Sequence, residues 1–277
     1  MVMRIAALQY CASDDIDATL THITPMIAEA AAKASLVGLP EAASFLAASR
    51  AQLDERAEWE DHSHSLNRLA ALARQHNIWM LVGSLFLRRR HDRRLVNRSL
   101  LVTPQGKIAA SYDKIHMFDA NVGDGQTYRE SDSFAAGTTP VLAVIDQLQL
   151  GMSICYDLRF PHLYRQLARD GAQLLGIPAA FTAVSGAAHW HVLLRARAIE
   201  TGCYVMAPAQ CGTHSDGRKT YGHAMIINPW GEILAEADDG DAVITADIDI
   251  AQIAAARRAI PSLATNPAIS ATSHTSQ

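Results

Sequence analysis

The stretch GMSICYDLRFP, residues 151–161, decides the fold. Leu148, Leu150, Met152 and Ile154 alternate with other residues, which is the period of a half-buried strand. Pro161 suits the first position of a helix, where its missing N–H would find no partner in any case. The segment therefore reads as a strand over 148–155 that turns into a helix over 161–169, with the Cys155 thiol at the turn. Such a turn presents its side chain at a sheet edge, and N–H groups at a helix start favour thiolate over thiol. A lone cysteine is also read as a small buried hydrophobe, and both readings stand at this point.

Moving outward, the same mixture of short apolar runs and helical patterns continues in both directions. Upstream lie strand patterns at 3–9, 36–39, 78–86, 95–102, 108–112 and 141–145. Helical patterns fall between 17 and 34, where Pro25 either starts or kinks the helix, and between 58 and 75. Downstream, a strand at 173–177 and a helix at 187–201 precede strands at 204–209, 223–228, 232–235 and 243–247. Two βα-rich halves with many strands and few helices imply layered sheets flanked by helices. We expect one α/β domain over 1–260 and an extended or disordered tail over 261–277, rich in Ser, Thr, Ala and Pro.

Composition narrows the function. With 24 Lys and Arg against 28 Asp and Glu, the net charge of −4 does not suit a surface for phosphate backbones or anionic lipid, so neither nucleic acid nor membrane is an expected partner. Hydrophobic residues make up 49% of the chain, enough for a packed core. Four scattered cysteines do not form a disulfide framework, and the start MVMRIAALQY lacks the h-region of a signal peptide. A soluble cytoplasmic protein is expected.

A thiol that attacks an acyl carbon needs a base and a cationic or N–H donor facing the oxyanion. Glu41 follows the apolar run LVGL and Pro40, a setting in which burial raises a carboxyl toward the useful range. Its bland reading is a solvated capping residue. Lys114 follows the 108–112 strand among Tyr112, Ile115, Met117 and Phe118, and taken alone reads as a surface lysine.

Together, LVGLPE, YDKIHMFD and GMSICYDLRFP resemble the Glu, Lys and Cys motifs of the nitrilase, or carbon-nitrogen hydrolase, superfamily, in the family's order and spacing. Further matches, from RIAALQY to PWGEI and TADID, extend the resemblance over about residues 3–250. It implies a four-layer α-β-β-α sandwich, assembly as a homodimer or larger homo-oligomer across the outer helices, and no metal or organic cofactor. By the same resemblance Cys155 is the nucleophile, Glu41 the general base and acid, and Lys114 the oxyanion stabiliser. The N–H of Tyr156 assists Lys114, and Glu130 in YRESDSFAAG orients Lys114 or the substrate.

The segments CYDLRFP, HWHVLLRARAIETGCYVMAPAQCG and TYGHAMIINPWG are most similar to the Nit branch, in particular its Nit1-like amidases. The implied reaction is hydrolysis of a small carboxylated primary amide, of the deaminated glutathione or 2-oxoglutaramate type, with ammonia released through a Cys155 thioester. Arg159 is the candidate for the substrate carboxylate; Arg195 and Arg197 share a helix with Glu200 and read first as structural. His191 stands where that branch usually has glutamate. Alternatives are an N-carbamoyl amino acid amidohydrolase or nitrilase using the same trio, or a non-catalytic interaction module on this fold. Twelve histidines, with His189, His191, Cys203, Cys211 and His214 in one region, show no CxxC or HExxH spacing, so no metal site is expected. His116 and His223 read as hydrogen-bonded neighbours of the pocket.

Overall fold

The structure, a computed structural model, describes residues 2–265. The first half runs β1 (Val2–Tyr10), α1 (Ile16–Ala31), β2 (Leu36–Gly38), α2 (Arg50–Arg56), β3 (Glu58–Trp59), α3 (His64–His76), β4 (Trp79–Arg88), β5 (Leu95–Val102) and β6 (Ile108–Asp113). A small hairpin, β7 (Asp119–Ala120) and β8 (Tyr128–Arg129), leads to β9 (Val141–Ile145), β10 (Leu148–Met152), a 3₁₀ turn over Cys155–Arg159, α4 (Pro161–Arg169) and β11 (Leu174–Gly176). Then come α5 (Ala183–Thr201), β12 (Tyr204–Ala207), β13 (Ala209–Thr213), β14 (Lys219–Tyr221), β15 (Met225–Ile227), β16 (Ile233–Glu236), β17 (Ala242–Asp249) and α6 (Ile250–Ala259).

The strands form two facing sheets. One has the order β14-β13-β1-β2-β4-β5-β6, with β17 beside β1 and β3 beside β4; the other is β16-β15-β12-β11-β10-β9. Side-chain alternation assigns each layer. In β1, Ile5 and Ala7 join Leu36, Leu81 and Leu101 against the second sheet, while Ala6 and Leu8 pack with Leu20, Ile23 and Ile27 of α1 and with Leu66, Leu69 and Leu72 of α3. Leu163 and Leu167 of α4 and Trp190 and Leu194 of α5 pack with the apolar side chains of the second sheet. The result is the α-β-β-α sandwich implied by the resemblance. Each fully buried Leu or Ile of these layers contributes about 1.5–3 kcal/mol relative to exposure.

The sheets come together closely near the ends of β2 and β12. A Cβ on Gly38 would lie 2.9 Å from Met206 Cε and 2.9 Å from Cγ of the Pro208 ring, so a larger residue there would push neighbouring side chains aside. At Gly83 a Cβ would lie 2.2 Å from the Pro40 carbonyl oxygen, and the missing side chain lets β4 run against the segment that carries Glu41.

Several boundaries differ from the sequence reading. Helix α1 starts at Ile16, with Asp15 accepting from the Ala18 N–H, and Pro25 lies inside it on the exposed face. Water can satisfy a carbonyl freed there. The pattern over 58–75 divides, because Ser63 caps α3 and Glu58 belongs to β3. Helix α5 begins four residues before 187, at Ala183. The run 204–209 is two strands in different sheets; Pro208 has no N–H for a ladder, and the chain crosses between layers at that point. Helices α2 and α6, the β7–β8 hairpin and β14 have no counterpart in the sequence reading. Of the tail expected over 261–277, Arg165 Nη2 donates to the Ser262 and Thr265 carbonyls, and residues 266–277 lie outside the described residues. Among the described residues no helix is long and apolar enough to cross a membrane.

Candidate active site

Cys155 sits on a sharp elbow. Strand β10 ends at Met152, and the chain turns at Cys155 with φ +46°, a left-handed conformation that a cysteine holds only when its surroundings impose it. The restraints are visible. Cys155 N–H donates to the Pro178 carbonyl at 2.9 Å, and Ile154 N–H donates to Asp157 Oδ2 at 2.9 Å. Asp157, fully buried, also accepts from Tyr112 Oη at 2.7 Å and from the His116 main chain at 3.1 Å, while His116 Nδ1 lies 2.7 Å from Asp157 Oδ1.

Glu41 is held by an equally constrained segment. Ala42, next to it, has φ +56° and donates to Ser84 Oγ at 2.9 Å, and Gln210 Nε2 donates to the carbonyls of Glu41 and Ala42. The Glu41 carboxylate accepts from Lys114 Nζ at 2.9 Å and Asn97 Nδ2 at 2.9 Å through Oε1, and from the Ala180 N–H at 2.9 Å through Oε2. Lys114, 2% exposed, also donates to both oxygens of Glu130 at 3.0 and 2.8 Å. Glu130 accepts in addition from Asn97 Nδ2 at 3.1 Å and the Phe118 N–H at 2.7 Å. Asn97 therefore bridges both carboxylates, which orients its amide: a carbonyl oxygen turned toward them would be repelled.

Two carboxylates and one ammonium leave a buried cluster with an excess of negative charge, and this sets the protonation states. Burial pushes the Cys155 thiol up and the Glu41 carboxylate reinforces that push, leaving the thiol well above its ordinary value despite Lys114. For Glu41, burial alone would raise the carboxyl, but the ammonium of Lys114, together with hydrogen bonds from Lys114, Cys155 and Asn97, holds it below its ordinary value. Burial opposes the Lys114 ammonium as well, yet Glu130 and Glu41 keep it well above its ordinary value. Both directions correct the sequence reading, which expected a raised Glu41 and a thiolate favoured by helix N–H groups. The resting set is carboxylate, ammonium and neutral thiol. It is suited to proton transfer from sulfur to Glu41 during attack on a carbonyl.

These groups line one cavity of about 340 Å³, shared with Tyr156, Arg159, Phe181 and Arg218. Arg159 lies over the Phe181 ring at 5.0 Å and 3.2 Å from His189 Nδ1, and among the described residues no carboxylate forms an ion pair with it. Arg197 is turned elsewhere: it donates twice to the Leu158 carbonyl and once to Glu200, tying α5 to the elbow, while Arg195 donates to the Gly231 carbonyl. Both are structural, as the sequence suggested. His116 stacks on Phe160 and His223 meets Glu236, so neither reaches the thiol. Asn97, Asp157 and the Ala180 N–H were missed by sequence reasoning; Asn97 looks like the polar member of an alternating strand, yet is 1% exposed.

Comparison with known proteins gives the same result. The sequence model of the carbon-nitrogen hydrolase family matches residues 4–258. A deaminated glutathione amidase of Synechocystis sp. is 42% identical over 262 residues, 93% of this chain and 96% of that protein. The crystal structure of the Caenorhabditis elegans NitFhit protein superposes with a TM-score of 0.89 at 34% identity, covering 96% of this chain and 65% of that one. An amidase from Nesterenkonia sp. with the acetamide moiety of fluoroacetamide covalently added at its active-site cysteine superposes at 0.79, with 27% identity over 93% of this chain and 94% of that one. With a family match over nearly its whole length and a buried thiol, carboxylate and ammonium in one cavity, the chain belongs to the carbon-nitrogen hydrolase family and is an enzyme acting on amide carbon–nitrogen bonds.

Proposed function

We propose that the protein hydrolyses a small carboxylated amide of the deaminated glutathione type through a thioester on Cys155. The observation that carries this reading is the direct bonding of Lys114 Nζ to both Glu41 and Glu130 in the cavity that Cys155 lines. As the sulfur attacks the amide carbon, Glu41 takes the thiol proton and the carbonyl electrons move to oxygen, facing Lys114 and the Tyr156 N–H. The carbon–nitrogen bond then breaks, Glu41 returns the proton to the departing amine, and a thioester remains. Glu41 next deprotonates a water, which attacks the thioester; the acid leaves and the sulfur regains its proton.

The sequence reading expected ammonia from a primary amide in both cases, but the leaving group depends on the amide. Deaminated glutathione joins its 2-oxoglutaryl group to cysteinylglycine through a secondary amide, so the dipeptide amine departs; ammonia departs from a 2-oxoglutaramate-type primary amide. Both carry a 2-oxo acid carboxylate, and Arg159, half-buried on the cavity wall with no carboxylate partner among the described residues, is its proposed binding residue. The four free cysteines fit a reducing cytoplasm. Exposed Val184, Val192 and Ile199 on α5 suit a homodimer or larger homo-oligomer.

The test is a substrate panel. Deaminated glutathione and 2-oxoglutaramate are expected to show kcat/KM at least ~100-fold above N-carbamoyl amino acids and nitriles, a discrimination within the range that differing pocket contacts supply. Preference for an N-carbamoyl amino acid or a nitrile would overturn the substrate reading, and no turnover across the panel would favour an interaction module.

The protonation states predict the pH profile. With Glu41 held below the ordinary carboxyl value of 4.5 and the thiol above the ordinary 9.0, kcat/KM is expected to stay flat between those limits and to fall only under more acid conditions, where Glu41 gains a proton. A rate that climbs tenfold per pH unit through neutrality would identify a titrating thiolate as the reactive form and contradict the Glu41 assignment.

A further inference from the structure

Outside the amide cavity, three ligand-type side chains from separate parts of the chain converge on one point. His191 Nε2, on α5, lies 2.7 Å from Glu236 Oε1 at the end of β16. His223 Nδ1, on the turn before β15, lies 2.8 Å from the same oxygen. The three ligand atoms are all within 4.8 Å of one another, and none of these residues lines the amide cavity.

The backbone under each ring is fixed. Trp190, wholly buried beside His191, donates its Nε1–H to the His223 carbonyl at 2.8 Å. His223 holds φ +55° and stacks on Tyr221 with ring centroids 4.4 Å apart. Side-chain exposures of 33% for His191, 27% for His223 and 31% for Glu236 leave room for a hydrated ion to enter.

We propose that His191, His223 and Glu236 bind one divalent transition-metal ion of the zinc class, fastening α5 to the β15–β16 edge of the second sheet. Two neutral imidazoles and a carboxylate form a recurrent three-ligand set for such ions, with the remaining position open to water. Bonds of about 2.0–2.1 Å in a tetrahedron put ligand atoms about 3.3–3.4 Å apart. The site reaches this when the Glu236 oxygen backs away by roughly half an ångström and the two nitrogens draw together, side-chain rotations that leave the backbone in place. Each ring turns its lone pair to the ion by taking the other tautomer, so no proton has to leave a neutral imidazole.

The test titrates the full chain, stripped of metal, with Co²⁺ as optical probe and Zn²⁺ as competitor, alongside His191→Gln and Glu236→Gln. Expected are one equivalent whose affinity drops at least tenfold in each variant, a Zn²⁺-induced rise in Tm seen only in the parent protein, and amide turnover unchanged in both variants. Ions captured by cysteines persist in the variants and cancel in the comparison. Equal uptake by parent and variants, or no uptake by the parent, would show that the two imidazoles merely share a hydrogen-bonded carboxylate, and would overturn the proposal.

Discussion

Cys155→Ala is expected to lower kcat by about 10⁴-fold or more while the protein stays folded, the scale seen when a covalent nucleophile is removed. The loss is chemical because the cavity offers no replacement. Thr182 and Ser185 line it, but their hydroxyls bond to each other at 2.7 Å, and among the described residues neither hydroxyl bonds a basic side chain. Stability should change by no more than about 1 kcal/mol, since alanine removes a single sulfur and adopts the elbow conformation at a similar cost. Loss of the weak thiol hydrogen bond to Glu41 falls within that limit. Product release and thermal melting measure the two effects, and mass spectrometry should detect an acyl-enzyme only in the parent. A variant that turns over within tenfold of the parent would remove Cys155 from the mechanism and the thioester with it.

Lys114→Met should damage both activity and stability. The ammonium bonds to Glu41 and Glu130 together, so its removal leaves two carboxylates facing one another across Asn97 in a buried site. Breaking a buried ion pair by deleting one partner costs about 3–5 kcal/mol. Losing one oxyanion donor costs a further 10²- to 10³-fold in kcat. A second effect follows from the sign of the Glu41 shift. Lys114 holds that carboxyl down against burial, so without it burial prevails, Glu41 takes up a proton near neutrality, and the base is lost as well. The combined loss of kcat should exceed about 10³-fold. The stability deficit should shrink as pH falls, because protonated carboxyls need no cation, and it should widen toward alkaline pH. Melting curves across pH decide this; a deficit that is constant with pH would mean that the ammonium acts by packing alone.

Much of the site was legible because its chemistry rides on local backbone signals. The alternation of Leu148, Leu150 and Met152, the helix start at Pro161 and the break at Pro40 each belong to one short segment, and the structure has Cys155 and Glu41 at those breaks. Other residues carry no such mark. Asn97 occupies an ordinary alternating position in LVNRSLLV, and only the convergence of β5 with the Glu41 and Glu130 segments makes its amide a bridge. Asp157 is one acidic residue in a turn until Tyr112 and His116 arrive from another part of the chain. The run 204–209 has the period of a single strand, and its division between two sheets depends on which neighbours each half finds.

Sequence alone therefore determined the family and the α/β layering and singled out Cys155, Glu41 and Lys114 as candidates, because hydrophobic period, turn residues and motif order are properties of short stretches of chain. Tertiary structure alone decided that the thiol rests neutral, that Glu41 stays ionised and that His191, His223 and Glu236 meet. Those outcomes depend on distance and burial, and groups from 13 to 139 residues apart acquire both only when the sheets close on each other.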